Sequence, residues 1–444
     1  MLACPFVVQL VNNHDAVLDI PADADNGPGT VEYWVRDLGP EGRKVLLSGP
    51  QIQRLNLRTI DALPFMRRLL AIPQSLSRDE VKALMREAAG KFFDGPLPSL
   101  YAPVAPLSQQ RYDAAHTNCN LEGLPERVPV SYALVAKLTA VRLLPNAQAW
   151  YASPTVHRLD LLQNTVANYG EPAVVLWGSR DHRFSFVLLG NAAGWVNQGD
   201  LASINRFDWY RFSENPEVAV VTAPQTTLRV GGVKVLVNAG TLLPLLSDPD
   251  AQNIRMRVPL NTLGKVEFET LKVPKSRDLF NAGFVPYTRE ALLRQAFRLR
   301  GLPYVAGGSD KGLDSAQLVR RIFQVFGISM PRSVHEQDDM LPYKTLLTGM
   351  DRQKRLEVLS RYRPGALVFM PGHVAIYLGQ RLRERSHEMV PVVLHALGTV
   401  QEVRDGKKVT TEVGKVVVSD LDYLTLQGVS ALEAAEAVGD LSME

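Results

Sequence analysis

Leu318, Val319, Ile322, Phe323 and Phe326 recur at helical spacing and form one apolar stripe, so Ser315–Phe326 is expected to be an amphipathic helix laid against a core. Asp314 can cap its start and Gly327 supplies its stop. The glycine-rich turn Gly301–Gly308 leads into it. Ahead of that turn, Arg289–Leu299 reads as another helix, with Leu292, Leu293, Ala296 and Phe297 apolar. Downstream, Ala366–Met370, His373–Leu378, Val390–Leu397 and Lys415–Val418 read as strands of one sheet. Helices followed by an antiparallel sheet make residues 281–444 an α+β domain.

The rest of the chain divides by pattern into three parts. Residues 1–135 are mixed. Leu63–Leu70 is expected to be a helix with Pro64 in its first turn, and Ser77–Phe92 a helix with a Ser77/Glu80 capping box. Pro96–Pro106 and Pro125–Pro129 read as extended loops. In residues 136–205, Pro172–Gly178 and Arg183–Gly190 are β-rich runs, and Asn191–Gly194 is read as a turn into Trp195 and Val196. Strand, Ser-x-Asp, strand, then Gly194-Trp195-Val196 is similar to bacterial SH3 domains. Residues 206–280 hold further strand-like runs at Ala219–Ala223, Thr227–Val230, Val233–Asn238, Thr241–Leu246, Ile254–Val258 and Val266–Val273, read as a second SH3-like barrel.

Three residues carry candidate chemistry. Ser315 falls in the first turn of its helix, where serine is common for capping reasons alone. His373 opens a strand in GHVAIYLG, sharing one face with Ala375 and Tyr377. His395 lies on a further strand, VVLHALG, and reads equally as an orienting group or as a buried, hydrogen-bonded core histidine. A hydroxyl, a base and an orienting group in that chain order is the layout of a papain-like acyl-transfer site.

GLPYVAGGSDKGLDSAQLV at Gly301–Val319, GHVAIYLG at Gly372–Gly379 and the later His395 together resemble the NlpC/P60 family of cell-wall peptidases. The resemblance implies a nucleophile at position 315, His373 as general base and His395 holding its ring. It also implies oxyanion assistance from Tyr304 and substrate contacts from Tyr304, Asp314 and Ser333, the last in the stretch Pro331–Gln337. No metal or organic cofactor is implied. The implied fold is multi-domain α+β: an N-terminal mixed domain (1–135), two SH3-like β-barrels (136–205 and 206–280) and a papain-like NlpC/P60 domain (281–444). The implied substrates are peptidoglycan stem peptides, cut between γ-D-glutamyl and a diamino acid, with muropeptides as the related ligands.

The chain departs from the family at the reacting atom. Ser315 stands where the family has cysteine, Ala316 and Gln317 replace Ser-Gly, Ala306 replaces tryptophan, and Ala366 replaces an aspartate. A thiol with pKa about 8.5 needs only a modest push to ionise near neutrality. A helix N-terminus supplies roughly 0.3–1 kcal/mol, which leaves an alcohol protonated. Activity of the Ser315 form is therefore expected to be weak or absent. The rival readings are a non-catalytic muropeptide-binding pseudoenzyme and a serine-dependent acyl hydrolase.

Bulk properties set the remaining bounds. A net charge of +3 from 49 basic and 46 acidic residues gives no argument for nucleic acid. No stretch approaches the roughly 20 apolar residues of a transmembrane helix. The two cysteines, Cys4 and Cys119, exclude a disulfide-rich scaffold, and Cys119 reads as a small buried residue. Leu2-Ala3-Cys4 resembles the tail of a lipoprotein signal, so the expected location is the bacterial envelope or periplasm, lipid-anchored through Cys4 if a signal has been trimmed. Cytoplasmic muropeptide recycling is the alternative.

Overall fold

The computed structural model describes residues 16–21, 27–94, 96–155, 159–246, 252–276, 278–383, 387–404 and 407–442; Cys4 lies outside them. The chain is mixed α+β, and among the described residues no helix is long and apolar enough to cross a membrane.

In the N-terminal part, helices α1 (Gly49–Ala62) and α2 (Arg78–Ala89) are the main elements. The expected capping box of α2 is present: Glu80 N–H donates to Ser77 Oγ, while Ser77 N–H donates to Glu80 Oε2. The helix expected over Leu63–Leu70 is absent. Here α1 ends at Ala62, and the backbone of its C-cap residue Leu63 is extended (φ −112°, ψ 129°). Pro64 explains this, since a residue before proline is driven out of the helical region. Pro64 therefore stops one helix instead of starting another.

Strands β1 (Ser131–Val135), β2 (Thr139–Arg142), β3 (Gln163–Ala167), β4 (Pro172–Gly178), β5 (Phe184–Leu189), β6 (Ala192–Asn197) and β7 (Leu201–Ile204) follow. The turn is confined to Gly190 and Asn191, and Ala192–Gly194 already belong to the strand, where Ala192 and Gly194 pair with Leu189 and Val187. After helix Arg206–Ser213 come β8 (Val218–Val221), β9 (Gln225–Val230), β10 (Val233–Asn238), β11 (Leu242–Pro244), β12 (Asn253–Thr262), β13 (Lys265–Pro274) and β14 (Phe280–Ala282). The pairing differs from two closed barrels. Nine strands form one sheet in the order β12-β13-β7-β1-β4-β5-β6-β2-β3, and the hairpin β12–β13 joins it through a parallel bridge from Lys265 to Ser203. The terminal strands β12 and β3 do not pair with each other among the described residues. The edge strand β3 instead hands its polar groups to the C-terminal part, as described below.

That part contains α3 (Arg289–Arg298), α4 (Ser315–Gln324) and α5 (Val334–Asp339), then β15 (Tyr343–Leu346), helix α6 (Arg352–Ser360), and β16 (Leu367–Met370), β17 (His373–Leu382), β18 (Met389–Arg404), β19 (Lys407–Asp420) and β20 (Ala437–Asp440). The sheet order is β15-β20-β16-β17-β18-β19, antiparallel throughout. Both faces are covered, which is why the consecutive residues Val374–Leu378 of β17 are all buried. Val374, Ile376 and Leu378 join Leu318, Val319, Ile322 and Phe323 of α4 in one core, whereas Ala375 and Tyr377 join Val393, Val417 and Tyr423 in another. Each of those α4 side chains is almost fully buried. Burying one such side chain contributes about 1.5–3 kcal/mol, so the stripe fixes α4 firmly on the sheet.

Candidate active site

Asp314 organises the start of α4. Its Oδ1 accepts the Gln317 N–H at 2.9 Å, its Oδ2 accepts the Gly307 N–H at 3.0 Å, and Arg332 Nη2 reaches Oδ2 at 2.6 Å. Cap, glycine-rich turn and ion pair thus meet on one carboxylate. Arg332 Nε donates to the Asn164 carbonyl of β3 at 3.1 Å, which ties the nine-stranded sheet to the same point. Gln163 Nε2 donates to Gly308 O, and Gln317 Nε2 to Gly307 O and Thr165 Oγ1. A side chain at Gly307 would collide with Gln163, and Gly307 has φ +74°, so this turn requires glycine on both counts.

Ser315 is buried in the first turn of α4, and its Oγ lies 3.5 Å from the Val374 amide nitrogen, which donates to it. Among the described residues this amide, not the His373 ring, is its hydrogen-bonding contact. Val374 immediately follows His373, so the hydroxyl sits one residue along the strand from the candidate base.

The two histidines come together. His373 Nε2 and His395 Nδ1 are 2.8 Å apart, with the rings edge to face, and His395 Nε2 is 2.8 Å from Ser419 Oγ. His395 and Ser419 are fully buried. His395 is therefore both of the things its sequence allowed, a buried core histidine and a partner of His373. Burial lowers the His373 pKa to about 4 against a small opposing pull from Asp314. Burial, reinforced by His373, holds His395 well below the usual histidine range. Both rings are neutral near neutrality. The Nε2–Nδ1 pairing leaves His373 Nδ1 as the nitrogen not used by His395. That nitrogen is a proton acceptor only if His373 carries its proton on Nε2, His395 accepts at Nδ1, and His395 Nε2–H donates to Ser419.

The other expected site residues are placed as follows. Tyr304 packs its ring on Gly398, where an added Cβ would come within 2.8 Å of it. Burial raises the Tyr304 pKa, with Asp314 adding to the shift, so its hydroxyl remains a donor. Ser333 caps α5: Glu336 N–H donates to Ser333 Oγ at 3.2 Å, and Ser333 Oγ–H donates to Glu336 Oε2 at 3.0 Å. Cys119 is buried, and desolvation pushes its thiol up to about 12. Sequence reading missed Ser419, Arg332 as a clamp, the β3 contacts, and Gln337, whose Nε2 donates to the Ala316 and Pro331 carbonyls behind the Ser315 turn.

A helix N-terminus set against a strand that carries one of two paired histidines, on an antiparallel sheet covered on both faces, defines an α+β domain. Residues 301–401 of it match the NlpC/P60 family model, so the chain carries an NlpC/P60 family domain. The whole fold is similar to an NlpC/P60 endopeptidase from Photobacterium damselae subsp. piscicida, with TM-score 0.73 and 17% identity over 91% of this chain and 96% of that one. An NlpC/P60 family protein from Bacillus cereus aligns with TM-score 0.46 and 18% identity over 70% of this chain and 100% of that one. No curated protein matches the chain.

Proposed function

We propose that the chain is a peptidoglycan stem-peptide hydrolase scaffold of the NlpC/P60, papain-like type, directed at γ-D-glutamyl–diamino acid bonds in the bacterial envelope or periplasm. The observation that carries this reading is the His373–His395 pair beside a helix-start hydroxyl, within the residues that match the family, with Ser419 extending the series beyond them. In the reaction, the group at 315 attacks the scissile carbonyl while His373 takes its proton. The carbonyl oxygen develops charge toward backbone N–H groups at the start of α4 and the Tyr304 hydroxyl. His373 then returns the proton to the leaving amine, and water repeats the cycle on the acyl-enzyme. The β-modules act as SH3-like elements that position the peptide, through the edge of β3 beside the glycine-rich turn.

Ser315 limits the chemistry. An alcohol remains protonated at the helix start, and this one rests on the Val374 amide. That contact favours a second reading, capture of muropeptides without cleavage. The discriminating experiment digests a defined stem peptide containing γ-D-glutamyl–diaminopimelate with the wild type, Ser315→Cys and Ser315→Cys/His373→Ala. Cleavage by Ser315→Cys alone, with weak or no cleavage by the wild type, supports the hydrolase scaffold. Micromolar peptide binding with no cleavage by any form supports the binding reading. Wild-type turnover lost in His373→Ala makes it a serine hydrolase.

A further inference from the structure

A cavity of about 790 Å³ lies behind α4, on the side of the helix away from its apolar stripe. It is bounded by the chain after α1, by β-sheet residues around Tyr169 and Glu171, by Trp209, and by Gln317, Arg320, Arg321 and Gln324 of α4. That volume falls among those that hold small organic ligands. Ser315, His373 and His395 are not among its walls.

Its charges are unbalanced. Arg67 and Arg68 line it, but they are paired with Glu87 and Asp61. Among the described residues Arg320 and Arg321 make no such ion pair, although the charges of Glu171 and Asp314 act on Arg320 and that of Asp314 on Arg321. Arg321 is only 7% exposed, and its buried Nη2 meets no hydrogen-bond acceptor. Among the described residues Arg320 reaches only Thr165 Oγ1, at 3.5 Å. Both residues line the cavity, and each guanidinium presents five N–H donors, most of which meet no acceptor among the described residues. Desolvation pulls both guanidinium pKa values down to about 10, and Glu171 is the acid that most opposes this at Arg320. Glu171 is half-buried and already accepts the Asn168 N–H. Buried cations without partners are costly and are retained when something completes them. Leu57, Met66, Leu70 and Leu242 supply apolar wall beside the two arginines.

We propose that this cavity binds a small organic anion, with its carboxylate or phosphate on Arg320 and Arg321 and its apolar body against the leucine-lined wall. Planar guanidinium forks suit either group. Because the walls come from segments far apart in the chain, the bound anion also ties those segments together. The site does not depend on hydrolysis at Ser315, so its test reads binding alone.

The test titrates inorganic phosphate, phenyl phosphate and phenylacetate into the full chain by calorimetry at low ionic strength, with thermal unfolding in parallel. Saturable one-to-one binding is expected, tighter for phenyl phosphate than for phosphate, with a rise in Tm that follows the ligand concentration. Comparison of phenyl phosphate with phenylacetate separates the phosphate from the carboxylate ligand. Arg321→Met should weaken binding by at least about tenfold, Arg320→Lys should weaken it less, and Glu171→Gln should tighten it. The last two guard against an unstable Arg321→Met, because both keep the folded wild type as reference. No saturable binding of any probe below about 10 mM overturns the proposal. So does equal affinity in the wild type and all folded variants, and phosphate binding from which phenyl phosphate is excluded overturns the apolar half of it.

Discussion

His395 Nδ1 lies 2.8 Å from His373 Nε2, and the far nitrogen of His395 lies 2.8 Å from Ser419 Oγ, so the tautomer of the candidate base is set two residues away from it. If Ser419 accepts from His395, the protons run outward and His373 Nδ1 is a base. If Ser419 donates, they run inward and Nδ1 carries a hydrogen. Ser419→Ala removes the acceptor and leaves a buried ring nitrogen unpaired, at a cost of about 1–3 kcal/mol in stability. In the Ser315→Cys background it should also slow stem-peptide cleavage at least tenfold, about 1.4 kcal/mol. Ser419→Thr keeps the hydroxyl and should restore most of the rate. A Ser419→Ala variant that is less stable yet equally fast would leave Ser419 a packing residue only.

The depressed histidines make a prediction about acid stability. An unfolded histidine titrates near 6.5, whereas folded His373 titrates at about 4 and His395 below the usual range. Between those values the unfolded chain binds protons that the folded chain does not. Their contribution is therefore intact above about pH 6.5 and is lost as pH falls toward 4. Asp420 and Asp440, whose pKa values burial raises, act with the opposite sign. The difference between variants is therefore the measurement. The Tm of His395→Gln should fall less than that of the wild type between pH 7 and pH 4.5. Parallel curves would mean that the buried pair does not titrate as described.

Arg332 joins three separate parts of the chain, through Asp314 Oδ2 at 2.6 Å and the Asn164 carbonyl at 3.1 Å. Arg332→Met should cost roughly 1.5–3 kcal/mol for the charged hydrogen bonds. It should also raise KM for a stem peptide in the Ser315→Cys background, because β3 loses its tie to the site. Arg332→Lys can meet Asp314 but cannot also reach Asn164 in the same fork geometry, so partial rescue of stability without rescue of KM is expected. An unchanged KM in Arg332→Met would separate the β3 contact from substrate positioning.

What the sequence disclosed was local and periodic. The α4 stripe, its Asp314 cap and the period-two run from His373 are visible within a dozen neighbouring residues, and all three appear as read. The hydrogen bonds that assemble the site are not local. Arg332 meets a carbonyl 168 positions earlier, and Gln163 meets Gly308 145 positions later, so no spacing rule could pair them. Ser419 belongs to an apolar strand where a serine carries no signal until His395 is placed opposite its neighbours. The Leu63–Leu70 misreading has the reverse cause. Apolar spacing there was real, but the backbone restriction before Pro64 outweighed it. Strand positions in 206–280 were readable from alternation and turns, whereas their partners, including the bridge from Lys265 to Ser203, depend on the whole sheet.

Ser315→Cys sets opposing forces against each other at one atom. Position 315 is buried, and burial alone drives a thiol upward, as Cys119 shows with a pKa pushed up to about 12. Three features at 315 pull the other way: the N-terminus of α4, the Val374 N–H aimed at the side-chain atom, and His373, the strand residue next to Val374. The helix contributes roughly 0.3–1 kcal/mol, up to about 2 when partly buried. A hydrogen bond to a charged acceptor adds about 1.5–3 kcal/mol. Together these amount to roughly one to four pKa units at 1.36 kcal/mol each, comparable with the rise that burial gives Cys119, and the balance is tipped because a thiolate would in turn raise the His373 pKa and complete an ion pair. The new cysteine should therefore titrate well below about 8.5. In a Cys4→Ser background, iodoacetamide should modify position 315 at pH 7 while Cys119 stays unreacted, and His373→Ala should slow that modification at least tenfold. A cysteine at 315 that alkylates only above about pH 9, with or without His373, would mean that burial dominates. The site would then be built to hold a neutral hydroxyl rather than to ionise a nucleophile.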